Sequence, residues 1–389
     1  MQANEQKKTA LSGGTQSGAF EAVEQRLLNP QGINAQFDKW TDFSRRVSED
    51  EKIFFTQNLG VMLKSGLSAS RALRTLTLQS SNPKFQRALA QLTRSVEKGQ
   101  TIAQAMEAFP RIFPPLFVNM VRAGEQAGQL ERVLTELTIQ LKRSHELRSK
   151  VRGAMMYPTV VLVAMVLIGA GMLIFVIPNL LGVFEEVNAE LPVPTRVLIG
   201  ISNFVNEYIL ILGPLAVMIV GGLIYTTRKG PGQALWHRTI LSLPILAPIA
   251  VKINLAKVAR TLGSLMATDM PIVDSLKLAG GVVGNVAYRS SLETIAGQVE
   301  KGTTISAGLG QYQKLYPPIA QQMVQVGEET GEIGNILLQL ADFYEEDVSQ
   351  TMDTLPTIIE PLMILVLGGA VGAMAIAVIM PMFSLANAV

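Results

Sequence analysis

The chain has 389 residues, enough for two or three domains. Hydrophobic residues make up 48% of the sequence and charged residues only 16%, below the roughly 25% usual in soluble domains. Mean hydropathy is +0.30, so the composition indicates a membrane protein. Cysteine is absent, which excludes disulfides, thiolate nucleophiles and cysteine-based metal sites. A net charge of +2 gives no indication of a nucleic-acid partner.

The N-terminal region, residues 1–45, is polar, and we predict it to be flexible. It contains lysines but no apolar stretch beside them, unlike a secretion signal or a membrane span. The sequence therefore predicts a cytoplasmic N-terminus.

A first helical domain is predicted over residues 46–152. Glycine and proline interrupt it often, and between them run amphipathic stretches such as 53–63 and 130–141, with apolar residues at three- and four-residue spacing. Alternation of the strand type is scarce. These patterns favour an all-α bundle of about six short helices.

Two local patterns mark helix starts within this domain. Ser48 with Glu51 predicts a capping box at the first helix, and Thr101 with Gln104 predicts another at the fourth. A helix is also predicted to begin at Pro115, the second residue of a proline pair, because proline has no N–H and the first turn does not need one.

The sequence Gly-Glu-x-x-Gly, at Gly124, Glu125 and Gly128, predicts a tight corner where one helix ends and the next begins. We interpret Glu125 as lying near the new N-terminus, where negative charge is favoured. The alternative is a catalytic or metal-binding role for Glu125, but no His, Cys or second carboxylate stands at ligand spacing.

Three long windows lack charge and are predicted to span the membrane. They lie between Arg152 and Glu185, between Glu207 and Arg228, and from Glu360 to the C-terminus. Each exceeds the roughly 18 to 20 residues that a helix needs to cross the hydrocarbon. The predicted order is transmembrane helix 156–181, periplasmic loop 182–205, transmembrane helix 206–227, second helical domain 228–356, transmembrane helix 359–383 and periplasmic C-terminus 384–389.

Charge asymmetry predicts the orientation. Five basic residues precede the first span and three acidic residues follow it: Lys142, Arg143, Arg148, Lys150, Arg152, and then Glu185, Glu186, Glu190. Because positive flanks stay inside, the first domain is predicted to be cytoplasmic. Arg228, Lys229 and Arg238 return the chain to the cytoplasm after the second span. The approach to the third span is acidic, so its direction depends on the count of crossings.

Residues 54–183 and 257–386 are two copies of one segment, related by a shift of 203 (327 − 124) without a gap. The corresponding pairs are Pro114-Pro115 with Pro317-Pro318, Gly124-Glu125 with Gly327-Glu328, Gly128 with Gly331, and Pro158 with Pro361. The copies have the same predicted orientation, unlike the inverted halves typical of many transporters.

Patterns for chemistry are weak. The sequence has no phosphate-binding G-x-x-x-x-G-K-[ST] loop, and His145 and His237, its only histidines, belong to no catalytic pattern. We predict no catalytic residue, no metal ligand and no cofactor. No ionisable residue lies deep in a span, which argues against a solute transporter, although that function stays open as the alternative.

Three further features allow two interpretations each. The acidic run from Asp342 to Asp347 is either a docking patch or a solvated helix face. The basic run 142–152 is likewise a patch or a consequence of topology. Gly368 and Gly372 either permit close helix packing or reflect ordinary glycine usage in membrane helices.

The joint order of these motifs resembles the secretion F family, the inner-membrane platform proteins of type II secretion and type IV pilus assembly. The resemblance covers residues 50–389. It depends on the doubled helical domain, on the two Gly-Glu-x-x-Gly motifs, on the proline pairs, and on Tyr157-Pro158 and Glu360-Pro361. The family's Ser-Gly-x-Pro after the first helix is only partly kept, as Ser65-Gly66-Leu67-Ser68 and Thr268-Asp269-Met270-Pro271.

The resemblance implies a non-enzymatic scaffold. Such a platform contacts a cytoplasmic hexameric ATPase, passes its movement to pilins or pseudopilins, and associates with other inner-membrane assembly proteins. It also implies a homo-oligomer, a dimer or a tetramer. Family-motif candidates for structural roles or partner contacts are Gly124, Glu125, Gly128, Gly327, Glu328, Gly331, Pro114, Pro115, Pro317, Pro318, Pro158 and Pro361.

The layout also predicts a mechanical link. The last soluble helix of each copy, about 130–150 and 333–353, is expected to run towards its span, so that tilting a domain would move the membrane helix. Pro158 and Pro361 lie where a bend would form, because proline removes a helix hydrogen bond.

Overall fold

The computed structural model describes residues 47–179, 193–228 and 246–386, together with positions 18, 20, 21, 232, 236 and 239. Over these residues every regular element is a helix. The predicted all-α class is therefore confirmed.

The first copy contains six helices, as predicted. Their bounds are α1 Glu49–Lys64, α2 Ala69–Gln79, α3 Pro83–Glu97, α4 Ile102–Glu107, α5 Pro115–Ala127 and α6 Leu130–Gly171. Helix α6 continues without a break past the predicted domain boundary at residue 152. The sixth helix is thus also the start of the first predicted span.

The second copy repeats this pattern. Its bounds are α8 Leu246–Met266, α9 Ile272–Val282, α10 Val286–Val299, α11 Ile305–Gly310, α12 Pro318–Thr330 and α13 Ile333–Ala386. Between the copies lies α7, Val193–Arg228. The predicted second span, 206–227, falls inside α7, which begins earlier than the predicted end of the loop at residue 205.

The predicted helix starts are confirmed. The Glu51 N–H donates to the Ser48 hydroxyl oxygen at 3.1 Å, and the Ser48 N–H donates to the Glu51 carboxylate at 2.9 Å. Thr101 and Gln104 form the same reciprocal pair at α4. Pro115 is the first residue of α5, and Pro318 is the first residue of α12.

The core of the first copy is built from apolar faces of α1 to α6. Phe55, Phe85, Phe113 and Phe117 form a connected aromatic cluster, with neighbouring ring centroids 5.3 to 6.3 Å apart. All four side chains are buried. Burial of such rings is the main stabilising contribution of this bundle.

The two helical copies belong to one compact unit, made of residues up to Glu146 together with Val251–Glu345. Leu265, at the end of α8, is fully buried within the core cluster of the first copy. The Ser264 hydroxyl donates to the Glu136 carboxylate at 2.9 Å, and the Arg132 guanidinium donates to the Ala267 carbonyl at 3.1 Å. The copies are therefore packed against each other rather than joined only by their connection.

A second unit contains residues from Leu147 to Ala250 and from Glu346 onward. Among the described residues two helical segments are long and apolar enough to cross a membrane, Leu130–Asn179 and Ile333–Ile376. Large apolar side chains such as Leu167 and Leu365 are exposed on them, as expected of surfaces that face lipid. The first and third predicted spans, 156–181 and 359–383, overlap these segments, which end at Asn179 and Ile376, and 206–227 remains a prediction.

A π-helical turn, Met172–Val176, interrupts the α-helical pattern in the first span. The carbonyl of Leu173 there accepts hydrogen bonds from the Ser202 hydroxyl at 2.6 Å and the Asn206 amide at 3.2 Å. A π-turn shifts backbone pairing. Two polar side chains of α7 thus contribute hydrogen bonds to this irregular turn.

Most of the N-terminal region, 1–45, lies outside the described residues. Within it Phe20 is buried, and the guanidinium of Arg74 lies 5.1 Å from the Phe20 ring centroid. This distance is typical of a cation–π contact. At least this position packs against the first copy.

Candidate functional site

The Gly-Glu corner of the first copy, residues 124–128, ends α5 and leads into α6. Gly128 has a φ of +65°, a left-handed conformation that glycine adopts without strain. The Gln129 N–H donates to the Gly124 carbonyl at 2.8 Å, and the Gly128 N–H donates to the Glu125 carbonyl at 3.2 Å. The predicted tight helix-to-helix corner is confirmed.

The first glycine of the motif permits close packing. A Cβ placed on Gly124 would stand 2.8 Å from a methyl of Val133 and 3.2 Å from the backbone of Leu130. A Cβ on Gly327, its counterpart, would stand 2.9 Å from the Ile333 backbone. The sequence predicted a backbone role for these glycines, and the contact with the following helix supplies its physical reason.

The interpretation of Glu125 as lying at the N-terminus of the following helix, α6, is wrong. Its carboxylate accepts hydrogen bonds from the N–H groups of Ile102 and Ala103, at 2.6 and 2.9 Å, which are the first residues of α4. Gly124 and Glu125 still belong to helix α5. From there the Glu125 side chain reaches the N-terminus of α4, which comes earlier in the chain. The charge still meets unpaired N–H groups and the positive end of a helix, but of α4 instead of α6.

The second copy repeats this arrangement in detail. The Glu328 carboxylate accepts hydrogen bonds from the N–H groups of Ile305 and Ser306, the latter at 2.9 Å. Gly331 has a φ of +74°. Thr101 and Thr304 add a second cap to the same helices. Each motif glutamate therefore fastens a short helix to the end of the longer one that carries it.

Pro158 and Pro361 lie inside helices α6 and α13, and the helical assignment continues through both. Pro158 is buried and Pro361 is exposed. The bend that we expect at these positions remains a prediction.

Part of the acidic run is used within the chain. The guanidinium of Arg260, which is only 7% exposed, donates to Glu345 at 2.7 and 2.9 Å and also to Asp342. Burial lowers the pKa of Arg260, but hydrogen bonds and the negative charges of Glu345 and Asp342 outweigh it and raise the pKa overall. These two carboxylates contribute to the internal structure, which weakens the docking-patch interpretation for them.

Sequence reasoning missed that the basic run of the first copy meets two aspartates of helix α13 in the second, Asp342 and Asp353. Arg143 lies 3.8 Å from Asp342, and Lys150 lies 3.1 Å from Asp353. Lys150 and Asp353 are counterparts, because 353 − 150 is the repeat shift of 203. Opposite charges at counterpart positions were the available signal. Both pairs are exposed, so each contributes at most about 1 kcal/mol to stability.

Among the residues that the structure describes, no group of three or more histidine, aspartate and glutamate side chains is placed to hold a metal ion. The partly buried carboxylates described above contact backbone N–H groups, an arginine or the Ser264 hydroxyl. The two corners have the same geometry. Each can hold its helices rigidly at the point where the bundle leads into its long helix.

Taken together, the fold and its two corners define an all-helical membrane protein with a tandemly repeated bundle, each copy ending in its own apolar helix. The family described as type II secretion system (T2SS), protein F, matches residues 55–178 and again 258–381. The chain belongs to this family, and the two matched ranges reproduce the duplication.

The chain is similar to curated proteins from both pilus and secretion systems. It is 32% identical to the type IV pilus assembly protein PilC of Myxococcus xanthus, over 87% of this chain and 81% of that protein. It is 34% identical to PilC of Thermus thermophilus, over 85% and 81%. It is 29% identical to the type II secretion system protein F of Aeromonas hydrophila, over 96% and 99%.

Proposed function

We propose that this protein is the inner-membrane platform of a type IV pilus or type II secretion machine. It would couple a cytoplasmic hexameric ATPase to the extraction and polymerisation of pilins or pseudopilins. The observation that carries the proposal is the family match to both helical copies, together with relatives named for pilus assembly and for secretion. The role is that of a scaffold, without catalysis.

The packing of the copies supports a common compartment for them. Leu265 of the second copy lies in the core cluster of the first, and this packing supports the proposal that both copies lie on the same side of the membrane. An even number of crossings must then separate them. A first span and a second span at 206–227 satisfy this requirement, and the positive-inside rule assigns the shared side to the cytoplasm.

The continuous helices support the transmission of movement. Helix α6 runs from the first bundle into the first span, and α13 runs from the second bundle into the third predicted span. A continuous helix transmits movement along its axis, and any bend would be confined to positions where a hydrogen bond is interrupted, such as Pro158 and Pro361. A force applied to either bundle would therefore reach the corresponding membrane helix.

A deletion of the gene tests the proposed role. We expect loss of surface pili, or of exoprotein release in a secretion strain, and recovery when the intact gene is returned. Normal assembly and release in the deletion strain would contradict the proposal. Cross-linking in intact membranes, followed by identification of captured proteins, tests the partners: an ATPase and pilins are expected.

The motif glutamates provide a test of an enzymatic alternative. If they are structural caps, Glu125→Gln with Glu328→Gln keeps one acceptor oxygen on each side chain and leaves assembly largely intact. Glu125→Ala with Glu328→Ala removes both hydrogen bonds at each corner, at a cost of about 1.5 to 3 kcal/mol per charged interaction. A Gln pair that folds normally but abolishes assembly would indicate chemistry or partner contact at these carboxylates.

The hinge hypothesis has its own test. Pro158→Ala and Pro361→Ala restore the N–H that proline lacks and should straighten any bend at these positions. We expect impaired assembly with unchanged membrane insertion. Wild-type piliation in both variants would remove the hinge from the mechanism without affecting the scaffold role.

A solute transporter remains the alternative function. The exposed apolar helices are the observation that allows it, but no charged residue lies deep in a predicted span, since Glu207 and Glu360 lie at the span ends. Solute uptake into vesicles containing the purified chain would favour it.

A further inference from the structure

The two helical copies contact each other through different faces. The second copy contributes its front face, the end of α8 with α9, including Ser264, Ala267, Met270 and Asp274. The first copy contributes its back face, α5 with the start of α6: Asn119, Arg122, Ala123, Gln126, Arg132 and Glu136. In such a front-to-back contact each copy uses only one of its two faces.

Each copy has both faces, because the copies have the same helices in the same order. The first copy therefore has a front face of its own, 203 positions earlier, and the second copy has a back face of its own, 203 positions later. Within the chain these two faces have no counterpart copy to pack against. On the front face of the first copy, Phe20 lies against Arg74, the counterpart of Lys277, so the bare part of this face is the part around Val61, Lys64 and Arg71.

Exposure at counterpart positions shows which faces are bare. Ser264, on the covered front face, is 0% exposed, whereas its counterpart Val61 is 57% exposed. On the back face, Ala123 is half-buried and its counterpart Val326 is 50% exposed. Ile319, at the start of the helix that carries Val326, is 45% exposed. Large apolar side chains are thus exposed where the internal contact is missing.

Charges on the bare faces are complementary. Asp274 on the covered front face and Arg122 on the covered back face line the same groove between the copies. The counterpart of Asp274 is Arg71, and Lys64 lies on the same bare front face. The bare back face instead carries Glu329, the counterpart of Gln126. The signs are exchanged, so the bare faces are suited to each other, while two bare front faces would repel.

We propose that a second copy of this chain occupies these faces, with the bare front face of one chain docked on the bare back face of the next. The contact would repeat the internal one, so Val61 would lie opposite Gln339 of the neighbouring chain, as Ser264 lies opposite Glu136. Lys64 would likewise lie opposite Asn335. A front-to-back contact of this kind forms a closed ring when its rotation closes.

The absence of cysteine in the sequence makes the contact directly testable. A chain with Val61→Cys and Gln339→Cys, treated in native membranes with a short bismaleimide reagent, should give covalent dimers and higher species. Each single variant should give none, because its cysteine faces no cysteine on the neighbour. Glu136→Cys with Ser264→Cys calibrates the reagent, since it should cross-link within one chain.

The control places one cysteine away from the contact. Val61→Cys with Lys301→Cys, an exposed turn residue, should stay monomeric on denaturing gels. Dimers from Val61→Cys alone would show a front-to-front contact and overturn the proposal. So would the absence of dimers from the Val61→Cys and Gln339→Cys chain in membranes where the internal pair reacts fully.

Charge reversal gives an independent readout. In the Val61→Cys and Gln339→Cys background, Arg71→Glu or Glu329→Arg alone should lower the dimer yield about fivefold, which corresponds to roughly 1 kcal/mol. Both reversals together should restore it. Equal losses in the single and combined variants would contradict the proposed pairing. These measurements need no pilus or secretion assay, so their failure and a failure of the platform role are distinguishable.

Discussion

The two helical copies share one backbone plan but fill it differently. The four phenylalanines of the first core, Phe55, Phe85, Phe113 and Phe117, correspond to Val258, Tyr288, Tyr316 and Ala320 in the second. At the corners, by contrast, both copies keep the two glycines and the glutamate, and each glutamate accepts hydrogen bonds from backbone N–H groups at counterpart positions. The comparison teaches that the corners specify the fold and that the core tolerates several sets of side chains.

The tyrosines of the second core require partners that phenylalanine does not. The Tyr288 hydroxyl donates to the Leu315 carbonyl at 2.7 Å, and the Tyr316 hydroxyl shares a hydrogen bond with Ser291 at 2.8 Å. Ser291 is itself buried. Hydroxyls without such partners would cost free energy on burial. The second core is therefore a hydrogen-bonded core, and the first is an apolar one.

The largest expected effect is in the apolar core. Phe113→Ala removes a buried ring that contacts the three other phenylalanines and should lower the free energy of unfolding by about 3 to 5 kcal/mol. Thermal unfolding of the full chain in detergent, followed by circular dichroism, measures the change. Arg111→Ala, at an exposed position two residues away, is the control and should change stability little.

Alkaline pH should act on the second core only. Burial raises the pKa of both Tyr288 and Tyr316 in the folded protein. Below about pH 10 both states are neutral; above it the unfolded state ionises and the folded state does not, so stability falls as the pH rises. At pH 11 the loss is about 1.4 kcal/mol for each tyrosine.

The matched variant is Tyr288→Phe with Tyr316→Phe. It loses hydrogen bonds at every pH but should lack this additional loss between pH 8 and pH 11. An equal alkaline loss in the variant and in the original chain would show that other groups are responsible.

The buried ion pair also distinguishes the copies. Glu345→Ala leaves Arg260 buried with Asp342 alone and should lower the free energy of unfolding by about 2 to 3 kcal/mol. The counterpart of Glu345 in the first copy is Lys142, and the counterpart of Arg260 is Gln57. Lys142→Ala should therefore change stability by less than about 0.5 kcal/mol. Equal melting temperatures for the two variants would contradict the assigned role of Arg260.

The smallest expected effect concerns the turn after the first helix of each copy. Gly66 has a φ of +81°, and its counterpart Asp269 is held at +58°. Asp269→Gly should stabilise the protein by up to about 1 kcal/mol, because glycine adopts this conformation without strain. Gly66→Ala should destabilise it by a similar amount, although the space around Gly66 is open. Destabilisation by Asp269→Gly would mean that the aspartate side chain makes a stabilising contact that outweighs the backbone strain.

Several features of the site were predictable because their causes are local. Ser48 with Glu51 and Thr101 with Gln104 act over three residues, and Pro115 and Gly128 act through their own φ angles, so sequence spacing identified them. The partner of Glu125 was not predictable, since the N–H groups of Ile102 and Ala103 lie 23 and 22 residues away. Two helix N-termini were equally available in the sequence, and only packing selected α4.

By itself, the sequence determined that the protein is helical, duplicated and built around long apolar segments, because periodicity, charge depletion and repeated motifs are properties of the chain alone. Tertiary structure decided which surfaces meet: that Leu265 enters the first core, that Arg260 pairs with Glu345 and that the two copies pack front to back. Such contacts join residues far apart in the chain, and their free energies depend on shape and burial, which no local pattern encodes.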